Sequence, residues 1–182
     1  LPIHIYHYNE LEFAPERVLN HMMQHILNND ADIDYIFPLD ADEFIYCPSR
    51  EKLNTFLTLI PQGRVGMYTW RGYLPHSTEY DPDFISHFTD QRKEEILTPK
   101  VIIPRAIAET CTLTIGSHSV RDKEGKEVQS IVFIGSNNQQ FYYWFINRFN
   151  AEFIETNDLW LGHYPIRSTI QQIKKVLEKS IT

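Results

Sequence analysis

Apolar residues recur along the chain in two rhythms, one of period two and one close to the helical repeat. Ile3-His4-Ile5-Tyr6-His7-Tyr8 alternates, which predicts a short strand with Ile3 and Ile5 on one face. Val18, Leu19, Met22, Met23, Ile26 and Leu27 then fall at helical spacing; Pro15 suits the first turn and Asn28-Asn29-Asp30 ends the helix. Tyr35 to Leu39 is a continuous apolar run that predicts a buried strand leading straight into acidic residues. Pro38 cannot donate to a sheet ladder, so a bulge or a strand end is expected there. Ser49 is placed to cap a helix of about ten residues that turns Leu53, Phe56, Leu57 and Ile60 inward. Val65 to Trp70 predicts the next strand.

From Arg71 to Thr98 the pattern lapses into a polar, aromatic and acidic stretch. That is long for an inert connection, so 71–98 is read as an active-site lid or an acceptor-binding insertion. Val101 to Pro104 and Cys111 to Ile115 predict short strands, and Gly116-Ser117-His118 a turn. Asp122-Lys123-Glu124-Gly125-Lys126 has the composition of a hairpin tip, with Val128 to Ile134 returning. Gln139 to Phe149 is aromatic-rich and reads as a helix whose Tyr142-Tyr143-Trp144-Phe145 cluster belongs to the core. Ser168-Thr169-Ile170-Gln171 is a capping-box sequence, and Ile170, Ile173, Val176 and Leu177 give the following helix an apolar face. Strands interleaved with helices predict an α/β fold with a mixed sheet in one domain spanning 1–182.

With 182 residues and 42% apolar content the chain can bury one sizeable core. No run approaches the roughly 20 apolar residues that span a bilayer, so no transmembrane segment is expected. Leu1 to Tyr8 lacks the features of a signal peptide, and the absence of an initial Met suggests a fragment or a processed product. The net charge of -7, from 17 basic and 24 acidic residues, disfavours nucleic acid as a partner, because phosphate backbone needs clustered Lys and Arg. It suits recruitment of a divalent cation to hold an anionic ligand. Cys47 and Cys111 have no metal-type spacing, and cytosolic thiols are the expected state, with a single disulfide as the alternative. The expected location is cytoplasmic, or peripheral at the membrane.

The strongest chemical signal is Leu39-Asp40-Ala41-Asp42-Glu43-Phe44. A strand ending in Asp-x-Asp would place carboxylates at the carboxyl edge of a sheet, where α/β folds put ligands. In an extended segment residues two apart point the same way, so Asp40 and Asp42 would converge on one cation. Hard oxygen ligands suit Mg²⁺ or Mn²⁺, which neutralise a diphosphate and act as a Lewis acid on a departing nucleotide. Alone, so short a motif is more often a solvated acidic turn after a strand; the apolar Tyr35 to Leu39 before it and Phe44-Ile45 after it favour carboxylates held at a buried edge. His21 and His25 lie four apart on the first helix, a zinc-compatible spacing, but Met22 and Met23 mark that face as core. His4 and His7 point to opposite faces, and Ser117 and Ser119 lack a nucleophile elbow.

Phe37-Pro38-Leu39-Asp40-Ala41-Asp42-Glu43-Phe44 resembles the (Leu/Phe)-Asp-Ala-Asp-Glu-Phe signature of family 2-type glycosyltransferases. The similar subgroup carries a carboxy-terminal His-Tyr/Phe-Pro-x-Arg-Ser segment, matched here by Gly162-His163-Tyr164-Pro165-Ile166-Arg167-Ser168. Between the two, Thr98-Pro99-Lys100-Val101-Ile102-Ile103-Pro104 and Gly116-Ser117-His118 resemble the family's Lys-x-Ile-x-(Arg/Pro) strand and later histidine. The resemblance implies a Rossmann-like A-type glycosyltransferase fold, a nucleotide-sugar donor, Mn²⁺ or Mg²⁺, and a carbohydrate or lipid-linked acceptor, as in polysaccharide biosynthesis. By the same analogy Asp40 contacts ribose or metal, Asp42 ligates metal, His163 is a further metal ligand or a phosphate contact, and Arg167 and Lys100 meet the donor's anionic side; His118 either joins them or is a turn histidine bonding to backbone. The catalytic base has no motif; the Asp81/Asp83 pair is preferred, with Glu43 and Glu79 as further candidates. Two features depart from the family. Pro38 replaces the usual apolar residue, and the nucleotide-cradling first strand and helix, with their Asn-x-Ser-x-Asp segment, are not found. The alternative to an enzyme is therefore a non-catalytic glycosyltransferase-like module that binds carbohydrate or a partner.

Overall fold

The computed structural model describes residues 15–74, 90–91, 99–135 and 151–164. The first helix, α1 (Pro15–Asn29), has the bounds its periodicity predicts, and Met23 and Leu27 are buried. Strand β1 is only Tyr35–Ile36, because the ladder stops before Pro38. Strand β2 (Glu43–Tyr46) follows the acidic segment, and then α2 (Arg50–Thr58), whose Lys52 N–H donates to Ser49 Oγ at 3.1 Å. This cap, with Phe56, Leu57 and Ile60 buried, matches the expectation.

The apolar run from Val65 is two strands, not one. Strand β3 (Val65–Tyr68) ends at Thr69, and β4 (Trp70–Leu74) enters a different sheet. Strand β5 (Asp90–Gln91) pairs with β4, and β6 (Lys100–Pro104) leads into a short helix, α3 (Arg105–Ala108). Strands β7 (Thr112–Leu113) and β8 (Val120–Arg121) form a small ribbon around a 3-10 turn, and its continuation returns through Asp122 to Lys126. Gly125 supplies the positive φ of 79° that this hairpin tip needs. Strand β9 (Ser130–Ile134) is buried throughout. Strands β10 (Glu152–Glu155) and β11 (Trp160–His163) have no counterpart in the periodicity reading.

The five-stranded sheet has the order β1-β6-β3-β9-β10, with β3, β9 and β10 parallel and the rest antiparallel. Alternation divides its side chains between two cores. Val65, Met67, Val101, Ile103, Val132 and Ile134 pack with Met23, Leu27 and Ala108 on the α1 side. Tyr68, Ile102, Ile131 and Phe133 pack with Phe56, Leu57, Ile60 and Leu161 on the other. Gly66 is required by this second face, since a Cβ there would meet Ile60 Cδ1 at 2.6 Å and Ile102 Cβ at 3.1 Å. The second sheet, β2-β11-β4-β5, packs through Leu161, Ile45 and Trp70 into the same layer. The molecule is thus mixed α/β with a mixed parallel and antiparallel sheet. No described helix is long and apolar enough to cross a membrane.

Candidate functional site

The acidic segment is a turn, not the extended piece that the Asp-x-Asp spacing suggested. Glu43 N–H donates to Asp40 O at 3.1 Å, and Asp40 N–H donates back to Glu43 Oε2 at 2.9 Å. This reciprocal bracing closes the chain on itself between β1 and β2. Period-two geometry therefore does not apply to Asp40 and Asp42.

Beneath the turn lies Lys100, the first residue of β6 and the register partner of Tyr68. Its residue is 1% exposed, and Nζ lies 2.9 Å from Asp40 Oδ2 and 3.2 Å from Glu43 Oε2. Two carboxylates meet this ammonium, as a buried charge requires. The analogy assigns Lys100 to the anionic ligand; the structure turns it onto the protein's own acidic turn. Burial pushes the Glu43 carboxyl up to about 7, against the lowering effect of the Asp40 N–H and of Lys100. Glu43 Oε1 accepts no hydrogen bond among the described residues. Tyr68 has its hydroxyl raised, chiefly by burial and then by Glu43, and that hydroxyl also has no described partner.

The pairing of β2 with β11 brings the carboxy-terminal segment onto the turn. His163 stands opposite Glu43 in register, and Tyr164 N–H donates to Asp42 O at 2.9 Å. His163 Nε2 consequently lies 3.9 Å from Asp42 Oδ2, both side chains being mostly buried. The His163 ring packs on Trp70 with centroids 4.5 Å apart. Trp70 also meets His118 at 5.8 Å, edge to face, and has Lys100 Nζ 5.7 Å from its ring centre. His118 reaches this position because Gly116 and Ser117 both take positive φ, 74° and 58°. Its Nδ1 lies 2.8 Å from Pro99 O, a contact that holds the proton on Nδ1.

Asp40, Asp42, Glu43, Lys100, His118 and His163 are therefore gathered around Trp70, although more than a hundred residues of chain separate the first from the last. The strand expected over Ile3 to Tyr8, Glu79, Asp81, Asp83, Arg167, the 139–149 segment, most of 71–98 and the helix expected after Ser168 lie outside the described residues. Trp70 is the residue that sequence reasoning missed. As the last residue of an apolar run it carried no signal, and only the sheet crossing at Thr69 aims it at the site. Cys47 and Cys111 carry no disulfide, in keeping with thiols.

Asp42, His163 and Asp40 are the side chains here whose donor atoms could hold a divalent cation. Asp42 oxygen and His163 nitrogen face each other, with Asp40 next in the turn. Among the described residues no three His, Cys, Asp or Glu side chains close on one point. Mg²⁺ and Mn²⁺ tolerate so few protein ligands when waters and phosphate oxygens complete the shell. No protein-family model matches the chain, and neither a curated protein nor a solved structure matches it.

Proposed function

We propose that the chain is a metal-dependent glycosyltransferase domain that moves a sugar from a nucleotide-diphosphate donor to a carbohydrate or lipid-linked acceptor. The observation that carries this reading is convergence. Three segments resembling one family's motifs, far apart in sequence, supply Asp42, Lys100, His118 and His163 to a single cluster around Trp70. A shared structural role for unrelated acidic, basic and histidine motifs has no such need to bring them together.

In this reading Asp42 and His163 would hold Mn²⁺ or Mg²⁺, with Asp40, whose Oδ2 is paired with Lys100, adjoining in the same turn. The cation supplies charge neutralisation to the leaving diphosphate. The bond from the sugar's anomeric carbon to the diphosphate oxygen breaks, the acceptor oxygen bonds to that carbon, and the acceptor proton passes to a carboxylate. Glu43 is poorly suited to receive it: its side chain is 0% exposed, and its Oε2 already serves Asp40 N–H and Lys100. Glu43 instead braces the turn, and Asp81 and Asp83 remain the proposed bases.

A thermal-shift screen of nucleotide sugars with and without Mn²⁺ tests the proposal. It predicts stabilisation that needs both components, about 2.7 kcal/mol at a hundredfold excess over Kd. Absence of a Mn²⁺-dependent shift with every donor would sink it.

A further inference from the structure

Strand alternation gives the second sheet two chemistries. Glu43, Ile45, Trp70, Leu161 and His163 share the side that faces the first sheet, by their register across β2, β11 and β4. The same register turns Phe44, Tyr46, Arg71, Tyr73 and Trp160 to the opposite side. Gly162, between Phe44 and Arg71, has no side chain to fill that side, and Tyr164 lies over it: a Cβ on Gly162 would be 2.8 Å from the Tyr164 ring.

These rings form one continuous array. Tyr46 stacks on Trp160 at 4.4 Å and 20°, Tyr73 lies 5.7 Å from Trp160, and Tyr73 stacks on Tyr164 at 5.1 Å and 12°. Phe44 meets Tyr164 edge-on at 5.6 Å, and the Arg71 guanidinium sits 4.6 Å from the Trp160 ring. Trp160 is buried as the keystone, whereas Phe44 and Tyr46 are 40% and 48% exposed.

We infer that this outer face is a saccharide-binding surface that receives the acceptor chain. The inference rests on the glycosyl-transfer reading for its occupant and deepens it. Carbon-hydrogen faces of pyranose rings pack on aromatic rings, while phenol hydroxyls and a guanidinium serve sugar hydroxyls and carboxylates. The array offers both and, among the described residues, contains no aliphatic side chain, unlike a surface made for lipid tails. Tyr46 is held in place by Trp160 behind it, so little rotamer freedom is lost when a sugar stacks on it. The array is also continuous with the acidic turn: Phe44 follows Glu43 directly, and Tyr164 bonds through its N–H to Asp42 O. A chain lying on the aromatic side would reach the rim where the transfer cluster begins.

Titration of the full chain with maltohexaose, cellohexaose, chitohexaose and hexagalacturonate, followed by Trp fluorescence and amide chemical shifts, tests this. At least one hexasaccharide should bind, with affinity falling about tenfold in Tyr46→Ala and largely restored in Tyr46→Phe. Lys126→Ala, in the exposed hairpin tip away from both faces, should bind it as the parent does. Loss of fold in Tyr46→Ala would be seen by circular dichroism, and Tyr46→Phe against Tyr46→Ser then provides the comparison. No binding of any hexasaccharide, or binding indifferent to Tyr46, overturns the inference. So does a Tyr46-dependent self-association, or a Tyr46-dependent attachment to phosphatidylcholine vesicles, in place of sugar binding. Hexasaccharide binding without any Mn²⁺-dependent donor binding would instead leave the surface standing and overturn the transferase reading.

Discussion

Lys100 reaches across sixty residues of sequence to place its ammonium 2.9 Å from Asp40 Oδ2, while its own side chain is 1% exposed. Glu43, from the same turn, closes on Nζ at 3.2 Å. The acidic turn is therefore built on a buried cation, and the carboxylates next to it inherit their positions from β6.

Lys100→Met removes that cation and leaves the Glu43 carboxyl without its charge partner. Breaking a buried pair from one side costs about 3–5 kcal/mol. Urea denaturation at pH 8 should show a loss of this size. At pH 5 the loss should be smaller, because Glu43 is then protonated.

Glu43 has its own pH signature. Its carboxyl rises from 4.5 to about 7 on folding, chiefly through burial. The native state thus holds the proton more tightly than the unfolded chain, and stability must fall with pH between these values. The contribution is complete below about 4.5 and is lost as pH rises through about 7. Melting temperatures across this range should decline for the parent and be flatter for Glu43→Gln, which keeps an oxygen for the Asp40 N–H.

Tyr68→Phe should be neutral or stabilising. The Tyr68 hydroxyl is buried with no hydrogen-bond partner among the described residues, and such a group carries a desolvation penalty of about 1–3 kcal/mol. Urea midpoints measure this directly, and a substantial loss of stability would mean that the hydroxyl is paired.

Gly162→Ala probes the junction of the two chemistries. The added methyl would lie 2.8 Å from Tyr164 Cε2, so the ring must move from its place over β11. Overpacking of this kind costs about 1–3 kcal/mol. Hexasaccharide affinity should fall with it, since Tyr164 supports both Phe44 and Tyr73.

Local patterns in the sequence anticipated several elements well. Met23 and Leu27 at helical spacing, Ser49 ahead of Arg50–Thr58 and Gly125 in a polar tip all act within a few residues, so composition is enough to find them. Pro38 ended its strand for the same local reason. What escaped was set by partners distant in sequence. Val65 to Trp70 is apolar but for Thr69, a residue common inside strands, so one threonine does not mark the crossing between sheets. Trp160-Leu161 carried no strand signal and Gly162-His163 reads as the start of a motif segment, because the ladder of this strand comes from Glu43–Tyr46 and from β4. The candidate site followed the same division. Its residue types were visible as motifs, whereas the turn at Asp40–Glu43, the buried state of Lys100 and the place of Trp70 depend on tertiary pairing.

The most direct measurement is a calorimetric titration of a nucleotide-sugar donor found in the thermal-shift screen, carried out in Mn²⁺ and in EDTA. The account predicts saturable binding in Mn²⁺ only, weakened about tenfold or more in Asp42→Ala and in His163→Ala, a difference of about 1.4 kcal/mol. Donor binding of equal strength in EDTA, or unchanged in both variants, would contradict it.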